Sequence, residues 1–132
     1  MFGESILVSP KLSSPNENEM WEVTTILPNS ANWYNINSRR LDTRTESFTD
    51  EYTDIGMAVW IKAGSVIPAL NHQNELSLLR AIVNPIRLDI YLDIDGSAEG
   101  TLVLDDGWST KSDESSFTFN YSLDNILSYT TR

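Results

Sequence analysis

The stretch "IRLDIYLD" (residues 86–93) indicates the fold class, because apolar and polar side chains alternate along it without a break. An extended chain places one set of side chains on one face, namely Ile86, Leu88, Ile90 and Leu92, and the intervening ones on the other. This pattern predicts a strand with one face in the core and one in water. Residues 116–122 (SFTFNYS) repeat it with Phe117, Phe119 and Tyr121.

Strand-like segments recur along most of the chain. Further candidates are residues 32–36, 57–62, 101–104 and 126–129. Residues 6–8 and 23–27 carry apolar side chains on both faces, which predicts central strands covered on each side. Turn residues separate the segments at short intervals, among them Pro10, Pro15, Pro28, Gly64, Gly96 and Gly107. Many short strands with frequent turns predict an all-β fold, an antiparallel β-sandwich.

Two segments depart from this pattern. Residues 75–83 have helical spacing in Leu76, Leu79 and Val83, which predicts a helical turn or two ended by Pro85. Residues 37–54 contain little apolar material, which predicts a long polar excursion. A boundary between two sections is expected in residues 71–85, because the last fifty or so residues form a meander of their own.

The charge balance limits the classes of partner. Nine basic and nineteen acidic residues in 132 give a net charge of −10, which repels nucleic-acid backbones and anionic lipid. We therefore expect neither nucleic acid nor a membrane as a partner. The small basic cluster Arg39, Arg40 and Arg44 lies in a polar stretch and is interpreted as a solvated loop.

Several sequence signals bear on compartment and cofactors. The chain has no cysteine, so it offers neither a disulfide framework nor a thiolate site. It has no apolar run of about eighteen residues and no basic-then-apolar leader pattern. One glycosylation sequon begins at Asn120 and would matter only in a secretory compartment. The sequence leaves the compartment open, and no cofactor is expected.

Two candidate metal or catalytic features are weak. His72 is the only histidine, and no second histidine or cysteine accompanies it, so we interpret it as a loop residue without a metal role. The run Asp93-Ile-Asp95-Gly96 has the form of the start of a calcium loop, but with Asp95 placed just before the turn glycine the twelfth position falls on Leu102, where a glutamate is required. A D-G hairpin turn is the favoured interpretation.

The pair Asp105 and Asp106 has the residue types that glycoside hydrolysis uses, with Trp108 close by. That chemistry needs two carboxyl groups on opposite sides of one bond, about 5 to 9.5 Å apart. Adjacent residues of an extended chain point to opposite faces, so these two cannot serve as that pair with each other. Asp106 followed by Gly107 fits a turn, since glycine accepts a positive φ.

Four blocks, in order, resemble segments of glycoside hydrolase family 31, the α-glucosidase family. Residues 2–10 (FGESILVSP) resemble the "FGD-x-L-L-V-x-P" segment that follows the catalytic barrel, and Trp33-Tyr34 after Leu27-Pro28 resembles "LP-x-G-x-WYD". Residues 62–68 (KAGSVIP) resemble "RGGSIIP". Residues 95–100 (DGSAEG) with residues 104–107 (LDDG) resemble "DGTAxGxLxxDDG". The departures, such as Glu4 for aspartate and Asn35 for the acid of "WYD", fall in strands and turns.

The resemblance implies a non-catalytic region. In the family these blocks belong to the proximal C-terminal β-sandwich and the first strands of the distal one, so no catalytic, cofactor-binding or metal-binding residue is carried onto this chain. The implied limits are a proximal sandwich at residues 1–72, a connector at 73–85 and incomplete distal strands at 86–132. The implied partners are the catalytic barrel of the same parent chain and the parent's carbohydrate substrate, in a secretory or lysosome-like compartment.

A second interpretation remains open, in which the chain is a carbohydrate-binding module. Exposed tryptophans stack on sugar rings, and Trp33, Trp60 and Trp108 are the candidates for such a platform. A tryptophan that packs inside the fold is the commoner case. The two interpretations differ in whether these indoles reach solvent.

Overall fold

The computed structural model describes residues 1, 3–44, 47–71, 84–104 and 115–131, and it divides the chain into two compact units, Met1–Ala63 and Gly64–Arg132. Within the described residues there are strands and turns but no helix. The strands of the first unit are β1 (Ile6–Ser9), β2 (Trp21–Thr25), β3 (Trp33–Asn35), β4 (Arg40–Asp42), β5 (Phe48–Tyr52) and β6 (Ala58–Lys62). Those of the second are β7 (Ser65–Leu70), β8 (Ile86–Tyr91), β9 (Ala98–Leu104), β10 (Ser115–Tyr121) and β11 (Leu127–Thr131).

The first unit contains a four-stranded antiparallel sheet in the order β1-β6-β3-β4 and a two-stranded antiparallel ribbon of β2 and β5. On β2 the side chains of Val23 and Thr25 are buried while Glu22 and Thr24 are exposed, as the period of two requires. β6 is buried at four successive positions, Ala58 to Ile61, because it is an inner strand that is covered on both faces.

The ribbon packs on the sheet through two apolar clusters. The first joins Val23 and Tyr52 of the ribbon to Ala58 of the sheet. The second joins Leu27, Trp33 and Trp60, with Leu7, Ala31 and Phe48 at its margin. Two layers that share one apolar interior make a sandwich-like arrangement, which confirms the predicted all-β class.

The second unit is a five-stranded sheet in the order β11-β10-β9-β7-β8. All its pairs are antiparallel except β7 with β9, which run parallel at Ser65 and Glu99. Its apolar face is centred on Val66, Ala98 and Phe119 and includes Leu88, Ile90, Leu102, Phe117 and Tyr121. The opposite face carries Arg87, Thr101 and Asn120, which are exposed. The one-sided pattern is therefore confirmed for β8 and β10, but Leu92, predicted on the buried face, lies beyond the end of β8 and is 36% exposed.

Three predictions of detail were wrong. Residues 37–54 are not a strandless excursion, because β4 and β5 lie within them. Residues 6–8 and 23–27 do not form central strands, since β1 lies at the edge of its sheet, β2 pairs with β5 only, and Ile26 is 68% exposed. The turn at Asp95 and Gly96 does not close a hairpin, because β7 lies between β8 and β9.

The domain limits at residues 1–72, 73–85 and 86–132 remain a prediction. In the structure β7 pairs with β8 along six residue pairs, from Ser65 with Tyr91 to Leu70 with Ile86, and so belongs to the second unit. The helical turn expected at residues 75–83 lies outside the described residues.

Candidate functional site

Trp33 lies in the core and not at the surface. Its side chain is 3% exposed, it packs with Leu27 and Trp60, and its Nε1 donates a hydrogen bond to the carbonyl oxygen of Pro28 at 3.0 Å. The "LP" and "WY" parts of one family-like block are therefore joined by a packing contact and a hydrogen bond. The proposed stacking role of Trp33 was wrong, because a sugar ring cannot reach a buried indole.

Trp60 is also excluded as a stacking platform, since it is 0% exposed. Its ring meets that of Phe48 edge to face, with centroids 5.5 Å apart and planes at 80°. Its Nε1 is buried without a hydrogen-bond partner among the described residues. Trp108, the carboxylates Asp105 and Asp106, and His72 lie outside the described residues.

One arginine of the predicted basic cluster is part of an ion-pair network. The guanidinium of Arg44 contacts Asp42 at 2.6 Å and Asp50 at 2.8 Å, and its central carbon lies 3.5 Å from the centroid of the Phe48 ring. Arg44 is exposed in the connection between β4 and β5, as the interpretation as a solvated loop expects. Its bridge between Asp42 and Asp50 above an aromatic pair was not predicted. Arg39 and Arg40 are exposed.

The electrostatics of this network follow from the contacts. The hydrogen bond from Arg44 lowers the pKa of Asp42 below its usual 3.8, although burial opposes that effect. Hydrogen bonds to Asp42 and then Asp50 raise the pKa of Arg44. Burial raises the pKa of Tyr52, and the charge of Asp50 adds to it. The shifts of Asp42 and Arg44 favour the charged forms of both groups, and a lowered carboxyl pKa is the opposite of what a general acid needs.

A polar cleft of about 330 Å³ adjoins this network, and its side chains are engaged in the fold. Asn35 Oδ1 accepts hydrogen bonds from the backbone N–H groups of Asn37 and Ser38, and Asn37 Nδ2 donates to the Met57 carbonyl. Asp42 and Asp50 are held by Arg44. The polar side chains of the cleft therefore hold neighbouring parts of the fold together. Among the described residues, no group of three or more histidine, cysteine, aspartate or glutamate side chains is placed to hold a metal ion.

In the two family-like blocks that contain Gly64 and Gly96, these glycines form tight backbone turns. Gly64 has a φ of +79°, donates its N–H to the Tyr91 carbonyl at 2.7 Å and accepts from the Glu99 N–H at 3.0 Å. Gly96 has a φ of +74°, in a turn where Asp95 Oδ1 accepts from the N–H and hydroxyl of Ser97. The hydrogen bonds with Ser97 lower the pKa of Asp95. Both glycines adopt the left-handed region that other residues rarely occupy.

One half-buried aromatic residue was not singled out from the sequence. Trp21 begins β2 and lines a cavity of about 500 Å³ with residues of the preceding loop and of the turn after β5. The polar run "SSPNENEM" (residues 13–20) directly before a tryptophan is the signal that was available. It did not show that the loop folds back beside the indole.

The fold and these blocks first define the class: an all-β, sandwich-like chain in which the recognisable motifs build the core and the turns. The chain belongs to glycosyl hydrolase family 31, since residues 1–67 match the model of the "Glycosyl hydrolase family 31 C-terminal domain". Within the described residues, no helix is long and apolar enough to cross a membrane.

Individual relatives agree with that family. The chain is 36% identical over 135 residues to an α-glucosidase of Schizosaccharomyces pombe, a match that covers 97% of this chain and 13% of the relative. Crystal structures of a glucosidase II alpha subunit, alpha3-Glc2-bound and Tris-bound, superpose with TM-scores of 0.63 at 17% and 18% identity. Each superposition covers 92% of this chain and 14% of the other, and at that identity it shows the fold. The chain thus spans about one seventh of the length of these relatives.

Proposed function

We propose that this chain is the non-catalytic C-terminal accessory part of an α-glucosidase-like enzyme, where it supports a catalytic barrel of the same parent chain. The parent would hydrolyse terminal α-linked glucose with retention of configuration. The observation that carries the proposal is the use of the family blocks: Trp33 and Leu27 fill a core, and Gly64 makes a tight backbone turn. Motifs of this kind stabilise a scaffold and perform no chemistry.

The acidic residues support the same conclusion. Retaining hydrolysis needs one carboxylate as nucleophile and a second with a raised pKa as acid, about 5 to 5.5 Å apart. Asp42 and Asp50 both contact the guanidinium of Arg44, which neutralises both carboxylates. The pKa of Asp42 is lowered, which is the wrong direction for an acid.

The proposal is tested by assaying the 132-residue chain with p-nitrophenyl α-glucoside and with maltose. We expect no release of nitrophenol or glucose above that of buffer. The S. pombe relative, assayed in parallel, controls for substrate quality. Turnover that co-purifies with this chain and disappears in an Asp42→Asn or Asp50→Asn variant would overturn the proposal.

A carbohydrate-binding module was the second interpretation. Trp33 and Trp60 no longer support it, because both indoles are buried. A sugar-binding role therefore has to rest on other residues.

A further inference from the structure

We propose that the cavity beside Trp21 is a binding site for a neutral oligosaccharide. The cavity has a volume of about 500 Å³, within the range of about 300 to 1,000 Å³ that small-molecule sites occupy. It lies between the loop that precedes β2 and the turn that follows β5. Its lining consists of Pro15, Asn18, Glu19, Met20, Trp21, Thr53 and Asp54.

The loop wall of the cavity is held in place by Asn16. Its Oδ1 accepts hydrogen bonds from the N–H groups of Asn18 and Met20, both at 3.0 Å, and its own N–H donates to the Met20 carbonyl at 2.8 Å. Its Nδ2 donates to Glu51 Oε1 on β5 at 2.9 Å, which fixes the loop to the ribbon. A wall built in this way is present before a ligand arrives, so little ordering cost accompanies binding.

Lys11 joins the two walls. Its Nζ donates to the carbonyl oxygens of Thr53 and Asp54, the latter at 2.8 Å, and lies 4.7 Å from the centroid of the Trp21 ring. This cation–π contact fixes the orientation of the indole. The turn is closed by the Gly56 N–H, which donates to the Thr53 carbonyl at 3.1 Å.

The chemistry of the lining selects the class of ligand. Trp21, Met20 and Pro15 offer apolar surface, while Glu19, Asp54 and Asn18 offer hydrogen-bond acceptors. A sugar ring has apolar C–H surface and hydroxyl donors, and so matches both. The Lys11 ammonium at the cavity is already engaged by the Thr53 and Asp54 carbonyls and the Trp21 ring. The carboxylates of Glu19 and Asp54, on a chain of net charge −10, repel phosphorylated or acidic sugars.

Glu19 is available to such a ligand. Among the described residues its carboxylate has no hydrogen-bond or ion-pair partner, and its side chain is exposed. Its backbone has a φ of +59°, in the left-handed region that non-glycine residues rarely adopt. Since the hydrogen bonds around Asn16 impose this conformation, the position of Glu19 beside the cavity is a fixed feature of the loop.

The test is an NMR titration of the whole 132-residue chain with maltose and maltotriose. We expect saturable shifts of the Trp21 indole N–H and of the backbone amides of Asn18 and Thr53. The variants Trp21→Ala and Glu19→Gln should weaken binding, the former by about tenfold or more. Trp21→Phe keeps an aromatic ring in place and serves if the alanine variant does not fold. Tyr129→Ala removes an aromatic side chain that is 65% exposed on β11 and should leave the affinity unchanged.

Three results would overturn the inference: no saturable shift with either sugar, shifts centred away from the cavity, or equal affinity for glucose 1-phosphate. The inference does not depend on the proposed scaffold role. A chain that binds no sugar leaves that role intact, and a chain that binds maltose without supporting a barrel leaves this site intact.

Discussion

Gly100 on β9 lies so close to Val66 on the neighbouring strand β7 that a Cβ atom on Gly100 would stand 2.1 Å from the Val66 carbonyl oxygen. A real Cβ does not approach a backbone atom to that distance, so one of the two strands would have to move. The second glycine of the "DGSAEG" block is therefore required by the contact between these two strands. The close approach of the Val66 backbone, and not a positive φ, explains why glycine stands at position 100.

Gly100→Ala should consequently destabilise the second unit by about 3 kcal/mol or more, because the obstacle is a backbone oxygen and not a flexible side chain. Urea unfolding followed by circular dichroism measures the change. Thr101→Ala, at the next and exposed position of β9, is the matched control and should shift stability by no more than about 0.5 kcal/mol. Equal midpoints for the two variants would show that the strand contact is not tight.

Trp33→Ala should cost about 3 to 5 kcal/mol of the free energy of unfolding, because it empties the centre of a core cluster. Trp33→Phe should cost less, since it retains most of the packing and removes the hydrogen bond to Pro28, which is worth about 1 kcal/mol. Thermal unfolding of the two variants checks the order. If both lost the same small amount of stability, Trp33 would not lie in the core as described.

The Asp42–Arg44 pair predicts a modest loss of stability in acid. The pKa of Asp42 is lower in the folded chain than in the unfolded one, so its contribution is fully present above the unfolded value near 3.8 and is lost as the pH falls through the folded value. Because Arg44 is 42% exposed, solvent screening limits the contribution to about 1 kcal/mol or less. Urea midpoints between pH 6 and pH 2 measure it.

Asp42→Asn should show a smaller loss of stability over that acid range than the unmodified chain. Glu17→Gln, at an exposed position outside the pair, removes one negative charge as Asp42→Asn does; it should behave like the unmodified chain and controls for net charge. If the acid profile of Asp42→Asn were identical to that of the unmodified chain, the Asp42–Arg44 pair would not be the cause of the loss of stability in acid.

Side-chain alternation predicted the parts of the fold where one face is wet. β8 and β10 carry a regular apolar-polar pattern, and both were located from it. β4 and β5 were missed because Arg40–Asp42 and Phe48–Tyr52 are short and mostly polar, and they become strands only through pairing with β3 and β2. The strand order is likewise set by pairing that no local pattern encodes, so β1 and β2 were wrongly placed at the centre.

The candidate site shows the same limit. A tryptophan in a strand can have the same local sequence whether it faces the core or solvent. The sequence therefore did not distinguish Trp33 and Trp60 from surface stacking platforms, since their burial depends on packing between distant strands. The cavity beside Trp21 is formed by contacts of Asn16 and Lys11 with residues up to 43 positions away in the sequence, which no local pattern predicts. The family blocks were more informative, because glycine and buried aromatic positions are fixed by backbone geometry and packing.

The most direct test of the accessory role replaces the segment of the S. pombe α-glucosidase that this chain matches with this chain and measures maltose hydrolysis. A second chimera carrying Gly100→Val controls for folding of the inserted segment. We predict that the first chimera retains kcat/KM within about tenfold of the parent relative, and that the second loses soluble, active enzyme. A soluble chimera with intact thermal unfolding but no maltose hydrolysis would contradict the account.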